Sequence, residues 1–215
     1  MIMKKIMMIA AMMLMSIGAF AQNEGGQVTL KPTVGLNIAS MTKFDYSKVR
    51  PGLIAGIEAE YGVAENFGLT AGLFYSMQGV KQDYSESATV DGIRYSAGAK
   101  TTYKLDFLNI PILAQYYVVP GLAFKAGIQP GFCVSKKYSL EVSASAAGES
   151  GSGTVSGKIE DGVKGFAFAI PVGISYEYQR FVLDARYNIG VTKAFKDGDP
   201  RHNVFSVTLG YKFEL

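Results

Sequence analysis

From Val28 to the C-terminus, apolar residues recur every second position, the period of a strand with two unlike faces. The last segment is the clearest. Phe205, Val207, Leu209, Tyr211, Phe213 and Leu215 alternate with Ser206, Thr208, Gly210, Lys212 and Glu214. The segment before it sets Phe181, Leu183, Ala185, Tyr187, Ile189 and Val191 against Asp184, Arg186, Asn188, Gly190 and Thr192. Six more segments follow the rule, with apolar faces built around Leu30–Ile38, Leu53–Tyr61, Leu69–Met77, Leu108–Tyr116, Leu122–Val134 and Phe166–Tyr178. Eight strands are predicted, each as long as the roughly 9–11 residues that a tilted strand needs to cross a bilayer.

The connections alternate in length. Gly62–Asn66, Val119–Gly121 and Gln179–Arg180 are tight turns, whereas polar stretches around Thr42–Lys48, Lys81–Lys100, Tyr138–Asp161 and Lys193–Asn203 are long. Short turns on one rim and long loops on the other are the pattern of bacterial outer-membrane barrels, with the short side periplasmic. An even strand count returns both termini to the short-turn side.

The polar face decides between a soluble and a membrane barrel. It is rich in Gly, Ala, Ser and Thr, whereas a soluble exterior is normally dense in Lys and Glu. Its charges nearly balance: Lys31, Lys125, Arg186 and Lys212 against Glu58, Glu60, Glu177, Asp184 and Glu214. Charges buried together must pair, so these nine residues are the expected lumenal network. Aromatic residues gather near strand ends on the apolar face. Tyr61, Tyr116, Tyr176, Tyr178, Phe181, Tyr211 and Phe213 are placed at the periplasmic interface, and Tyr138 and Phe205 near the outer rim. The fold expected is all-β, an eight-stranded antiparallel up-and-down transmembrane barrel with its greasy side turned to lipid.

Ahead of the barrel, Lys4 and Lys5 precede an apolar run from Ile6 to Ile17 and a small-x-small site at Ala19–Ala21, the anatomy of a cleaved leader. Residues 1–21 are expected to be removed on export, leaving 22–215 as one domain. The chain has 215 residues, 48% of them apolar and only 18% charged, with 21 Lys+Arg against 18 Asp+Glu. Loss of the two leader lysines makes the mature chain nearly neutral, which speaks against nucleic acid as a partner. A single Cys excludes a disulfide framework within the monomer and multi-Cys metal sites, and a single His excludes His-rich ones.

Little else suggests chemistry. His202, in the last long connection beside Arg201, reads as a solvated loop residue, and no second element completes a catalytic set around it. Cys133 reads as a small lumen-facing residue. Gly148–Lys158 fails the phosphate-loop spacing, with Ser152 at the first glycine position and Ile159 at the last, and reads as a flexible extracellular loop. Asp184 and Arg186, two apart on one face, read as a buried ion pair. Pro111 and Pro171 fall inside strands and are expected to mark bulges or kinks.

Three stretches carry a family resemblance. Arg50 to Val80 has a Gly-x-x-x-Gly and a closing Tyr-Ser-x-x-Gly; Tyr103 to Tyr117 holds Leu-x-Ile-Pro-Ile-Leu; Leu183 to Phe195 holds Asp-x-Arg-Tyr-x-x-Gly. The mature chain resembles the PorT-like or "porin family" outer-membrane β-barrel proteins of Bacteroidetes. The resemblance implies a barrel in the cell outer membrane, placed there by the barrel-assembly machinery, without implying transport. The expected role is structural or surface-binding through the long loops, with a plugged lumen, no catalytic activity, no cofactor and no metal. The expected partners are outer-membrane lipid and lipopolysaccharide, around a monomer. A narrow pore for ions or small solutes and a soluble periplasmic ligand-binding barrel are the alternatives.

Overall fold

A computed structural model describes residues 25–42, 47–90, 93–146, 149–159, 162–195 and 199–215. The expected leader and its cleavage site lie outside the described residues. Twelve strands run in chain order: β1 Val28–Met41, β2 Ser47–Lys48, β3 Arg50–Ala64, β4 Phe67–Val90, β5 Ile93–Asn109, β6 Ile112–Val119, β7 Leu122–Ala146, β8 Glu149–Lys158, β9 Phe166–Tyr178, β10 Phe181–Lys193, β11 Arg201–Tyr211 and β12 Phe213–Glu214.

Ten of these resolve into eight barrel staves, while β2 pairs only with β4 and β8 only with β7 off the ring. β5 and β6 are one stave interrupted at Ile110–Pro111, because Phe74↔Asn109 and Phe67↔Tyr116 keep one register against β4. β11 and β12 are likewise one stave against β1. Every barrel pairing is antiparallel between chain neighbours, and β1 pairs with both β3 and β11. The ring is therefore closed, and no stave is left with an unpaired edge inside the wall.

The side chains are inverted relative to a soluble barrel. Leu209, Phe124 and Leu36 stand on the outside with 51%, 54% and 64% of their surface exposed, together with nearly every large apolar residue of the predicted faces. Lys31, Glu58, Lys125, Asp184 and Arg186 are buried inside. A wall this greasy would drive association in water, so the soluble alternative fails on geometry. The aromatic girdle is present at the short-turn rim, where Tyr211 packs edge-on against Phe181 at 5.2 Å and Phe213 at 4.8 Å.

Several expectations need correcting. Lys81–Lys100 and Tyr138–Asp161 are not irregular loops. β4 and β5 pair continuously out to Val90↔Ile93, and β7 pairs with β8 out to Ala146↔Glu149. The supposedly flexible Gly148–Lys158 is for the most part the paired strand β8. Pro111 and Pro171 make no bulge: the registers on either side of each are unchanged, and the neighbouring Ile110 N–H donates to the Pro130 carbonyl at 2.9 Å. Both rings point into the lumen, where a missing N–H is tolerated so long as adjacent rungs hold. Register shifts lie elsewhere, and the one that changes a face of β7 is between Asp106 and Phe107. It reverses the inside–outside order of β7 beyond Val134, so Tyr138, expected on the lipid face, shares the inner face with its partner Tyr103.

Small residues allow the narrow interior to hold one large ring. Phe74 points inward from β4, 4% exposed, and lies across Gly56 and Gly72. A Cβ at either glycine would stand 2.7 Å from the ring. A Cβ at Gly56 would also stand 2.2 Å from the Leu73 carbonyl oxygen, so Gly56→Val should displace both the neighbouring strand and the Phe74 ring and cost at least about 2–3 kcal/mol by overpacking. Loss of the heat-modifiable folded band at a lower denaturant concentration than wild type is the expected outcome; an unchanged midpoint would refute the stacking role.

Candidate lumenal site

Inward positions two apart on neighbouring strands meet across the lumen, and the register brings the predicted charges into two clusters. In the first, Glu58 on β3 is the hub: Lys31 Nζ lies at 2.7 Å, Arg186 at 3.0 Å and Lys125 Nζ at 3.3 Å. Asp184 on β10 receives Lys125 at 2.9 Å and Arg186 at 3.0 Å. Glu58 is 1% exposed and Lys125 3%. In the second cluster, nearer the short-turn rim, Lys212 binds Glu177 at 2.6 Å and Glu60 at 3.2 Å. Tyr117 donates its hydroxyl to Glu60 at 2.7 Å, and Gln115 donates to the same oxygen at 3.3 Å.

Eight of the nine predicted charges are thus brought together. Glu214 is not. It follows Lys212, where the final stave is interrupted, and it sits exposed on β12 opposite Thr29, outside both clusters. Its absence completes the balance. The first cluster holds Lys31, Lys125 and Arg186 against Glu58 and Asp184; the second holds Lys212 against Glu60 and Glu177. One excess positive charge therefore offsets one excess negative charge, which is the condition for placing eight ions where bulk water cannot solvate them.

Above the charges lies a layer of amides and hydroxyls, with Asn37 Nδ2 donating to Ser76 Oγ at 2.8 Å and Gln78 Nε2 to the same oxygen at 3.2 Å. Above that, the lumen turns apolar. Met41, Val80, Leu105, Phe107, Val163 and Ala194 form a buried plug, with Cys133 packed beside it. Cys133 is on the inner face as expected, its thiol directed at the Ser135 carbonyl. Val163 comes from the segment joining β8 to β9, whose described ends bond to β7 through Ile159 N–H to the Lys136 carbonyl and Cys133 N–H to the Gly165 carbonyl. Lys136 Nζ donates to the Val163 carbonyl at 2.8 Å, and Lys164 N to the Ala194 carbonyl at 3.0 Å.

His202 corrects another expectation. It is 7% exposed, not solvated. β11 begins at Arg201, three residues before the apolar run becomes obvious, so His202 falls in line with Val204 and Ser206 on the inner face, opposite Met41. Its ring meets Phe107 edge-on at 5.3 Å, and neither ring nitrogen has a hydrogen-bond partner. Ile54, Phe74, Phe107, Leu113, Val182 and Val204 are among the inward residues that period-two reading leaves aside, since each is apolar on a polar face. Arg186 lies 5.9 Å from the centre of the Phe74 ring, a cation–π contact that adds an apolar wall to the first cluster.

The free space left is small. One lumenal gap beside Arg186 amounts to about 10 Å³ and one beneath His202 to about 20 Å³, room for roughly a single water each. Among the described residues, no group of three His, Cys, Asp or Glu is arranged to hold a metal ion, and no helix is long and apolar enough to cross a membrane.

Two substitutions probe this interior. Glu58→Gln removes the negative charge that three buried cations share and should destabilise the barrel by roughly 3–5 kcal/mol, read as a shift in the urea midpoint in detergent. A change below about 1 kcal/mol would refute the hub role. His202→Leu removes two unsatisfied nitrogens from an apolar contact and should leave stability unchanged or raise it by about 1 kcal/mol; a clear loss would show that the imidazole is used.

Solved structures to which the chain is similar include Ail, the attachment invasion locus protein of Yersinia pestis (13% identity, 89% of this chain and 100% of that one, TM-score 0.43). Neisserial surface protein A is also similar (14% identity, 86% and 97%, TM-score 0.40), as is OprG of Pseudomonas aeruginosa (11% identity, 89% and 98%, TM-score 0.34). No curated protein matches the chain. A family model described as outer membrane protein beta-barrel domain matches residues 20–196. The chain belongs to that family, and its place is the outer membrane.

Proposed function

We propose that the protein acts through its long-hairpin rim as a surface for binding or adhesion, and that the lumen is a strut rather than a conduit. The observation that carries this reading is the stacking of two ion clusters, an amide layer and an apolar plug along the lumen, where the gaps beside Arg186 and beneath His202 amount to about 10 and 20 Å³. An eight-stranded barrel has an interior just wide enough for side chains, and here side chains occupy it.

The rim supports the binding half of the reading. Beyond the bilayer, β4, β5, β7 and β8 continue as one sheet whose polarity is reversed. Its inner face carries Tyr84, Tyr95, Val142 and Val155, all more than 40% exposed, and its outer face is Ser-, Thr- and Lys-rich. A cleft of about 970 Å³ opens between the hairpin tips, lined by Glu86, Tyr95, Ala97, Ala144 and Glu149 among others. That size suits a ligand or a short peptide segment. Among the described residues β8 pairs with β7 alone, which leaves a row of backbone donors and acceptors for an added strand. The remaining features of the reading are a cleaved leader over residues 1–21, insertion by the barrel-assembly machinery, a monomeric state and kinship with the PorT-like proteins of Bacteroidetes.

Reconstitution into planar bilayers tests the strut. The purified barrel should give no single-channel steps above baseline over the usual voltage range. Reproducible unitary currents that vanish in a variant with a bulkier lumen, such as Gly72→Leu, would replace the strut with the narrow-pore alternative.

A further inference from the structure

One row of the projecting sheet is electrostatically incomplete. Register places Lys104 of β5 directly beside Lys137 of β7, and Lys137 directly beside Lys158 of β8. Directly paired residues share a face. Lys104 alternates with the inward, fully buried Leu105, so all three ammonium groups lie on the outward face, and all three residues are exposed. Lys81, two residues beyond the Gly79 that opposes Lys104, borders the same patch.

Cross-strand neighbours sit about 4.5–5.5 Å apart at Cβ, and like charges so placed destabilise a sheet. Elsewhere on these hairpins lysines find acids, even where Lys48 is registered directly against Lys81. Lys100 is registered against Glu141, and Lys48 reaches Asp83 at 2.8 Å, a contact that holds the Asp83 carboxyl below its usual range. Lys104, Lys137 and Lys158 form no ion pair among the described residues. The bordering carboxylate, Asp106, already accepts the Tyr75 hydroxyl at 2.9 Å.

The height of the row matters as much as its charge. Leu108 and Val134, the last lipid-facing residues of their strands, lie four and three residues below Lys104 and Lys137. At ~3.3 Å per residue, that puts the row ~10–13 Å beyond the hydrocarbon along tilted strands. Lysine stems from that height reach down into the headgroup layer. The next row outward offers hydroxyls from Thr102, Ser139 and Ser156, with Ser156 and Ser139 3.1 Å apart.

We propose that Lys104, Lys137 and Lys158 form a binding site for the phosphates of an anionic lipid headgroup in the leaflet on the long-hairpin side. The occupant is a lipid because the row is at headgroup height directly above a lipid-facing wall. A phosphate bridging two ammonium groups turns their repulsion into two charge-assisted hydrogen bonds each, and the hydroxyl row receives the remaining headgroup oxygens.

The experiment compares thermal unfolding of the full protein in nanodiscs of phosphatidylcholine alone and with diphosphoryl lipid A. Lipid A should raise the wild-type Tm. Lys137→Ser, which relieves repulsion, should raise Tm in phosphatidylcholine yet abolish the lipid A increment. This opposition of signs separates the site from simple loss of structure. Native mass spectrometry should show the triple variant Lys104→Ser/Lys137→Ser/Lys158→Ser retaining lipid A on the order of 100-fold less than wild type. Lys193→Ser, whose lysine is already paired with Asp199, should behave as wild type. Undiminished retention in the triple variant overturns the proposal. So does millimolar inorganic phosphate reproducing the Tm increment without lipid A, which would make this a free-anion site.

Discussion

Hydrocarbon accepts no hydrogen bond, so a chain that crosses it must pair every backbone N–H and C=O within itself. In this protein the pairing of β1 with both β3 and β11 meets that condition by closing the sheet. The rest follows. A closed ring of eight staves has two faces, one of which must dissolve in acyl chains. Period-two alternation then forces every intervening residue inward. The interior of so small a ring admits side chains and almost nothing else, so any ion placed there must find its counterion among its neighbours.

The two lumenal clusters meet this requirement with unequal members. Neither is neutral alone; together they are. Glu58 and Glu60 stand two apart on β3, so a single strand supplies one acid to each cluster, and the clusters are held at a fixed spacing by its pleat. Arg186 donates to Glu58 and Asp184 from one planar group, a geometry that a lysine's point charge does not reproduce. Buried ion pairs often add little net stability against an apolar replacement. Their stronger effect here is on register. A slip of one residue on β3 or β10 would carry Glu58 or Arg186 to the lipid face, where neither has a partner.

Much of this was legible in the residues. Alternation located eight staves and their faces, and eight of the nine charges named from it meet in the lumen. What escaped notice did so for physical reasons. Projecting hairpins of Ser, Ala, Gly and Thr have weak strand propensity and the composition of loops, and only their cross-strand partners make them strands. His202 is hidden by the turn signal Asp199-Pro200, which ends immediately before the strand begins at Arg201. Tyr138 lies beyond a bulge that reverses the parity of β7, and an extra residue in a ladder leaves no mark on a single strand's pattern. Phe74 is an apolar residue on a polar face, explicable only once Gly56 and Gly72 are seen to make room for its ring.

The same strands carry two opposite amphipathic patterns end to end. On β4 the outward face runs Leu69, Leu73, Tyr75, Met77 and then Lys81, Asp83; the inward face runs Thr70, Ser76, Gln78 and then Val80, Tyr84. Below the switch the apolar side meets lipid. Above it, where water surrounds the hairpins, the apolar side turns toward the barrel axis and merges with the Val80, Leu105 and Phe107 plug. The switch on β4 and β5 is made by sequence alone, and on β7 the bulge helps to make it. The depth of the barrel in the membrane is therefore written into the chain as the level at which the pattern reverses. The lysine row just beyond Leu108 and Val134 marks that level from the aqueous side, as the ring of Tyr211, Phe181 and Phe213 marks the opposite interface.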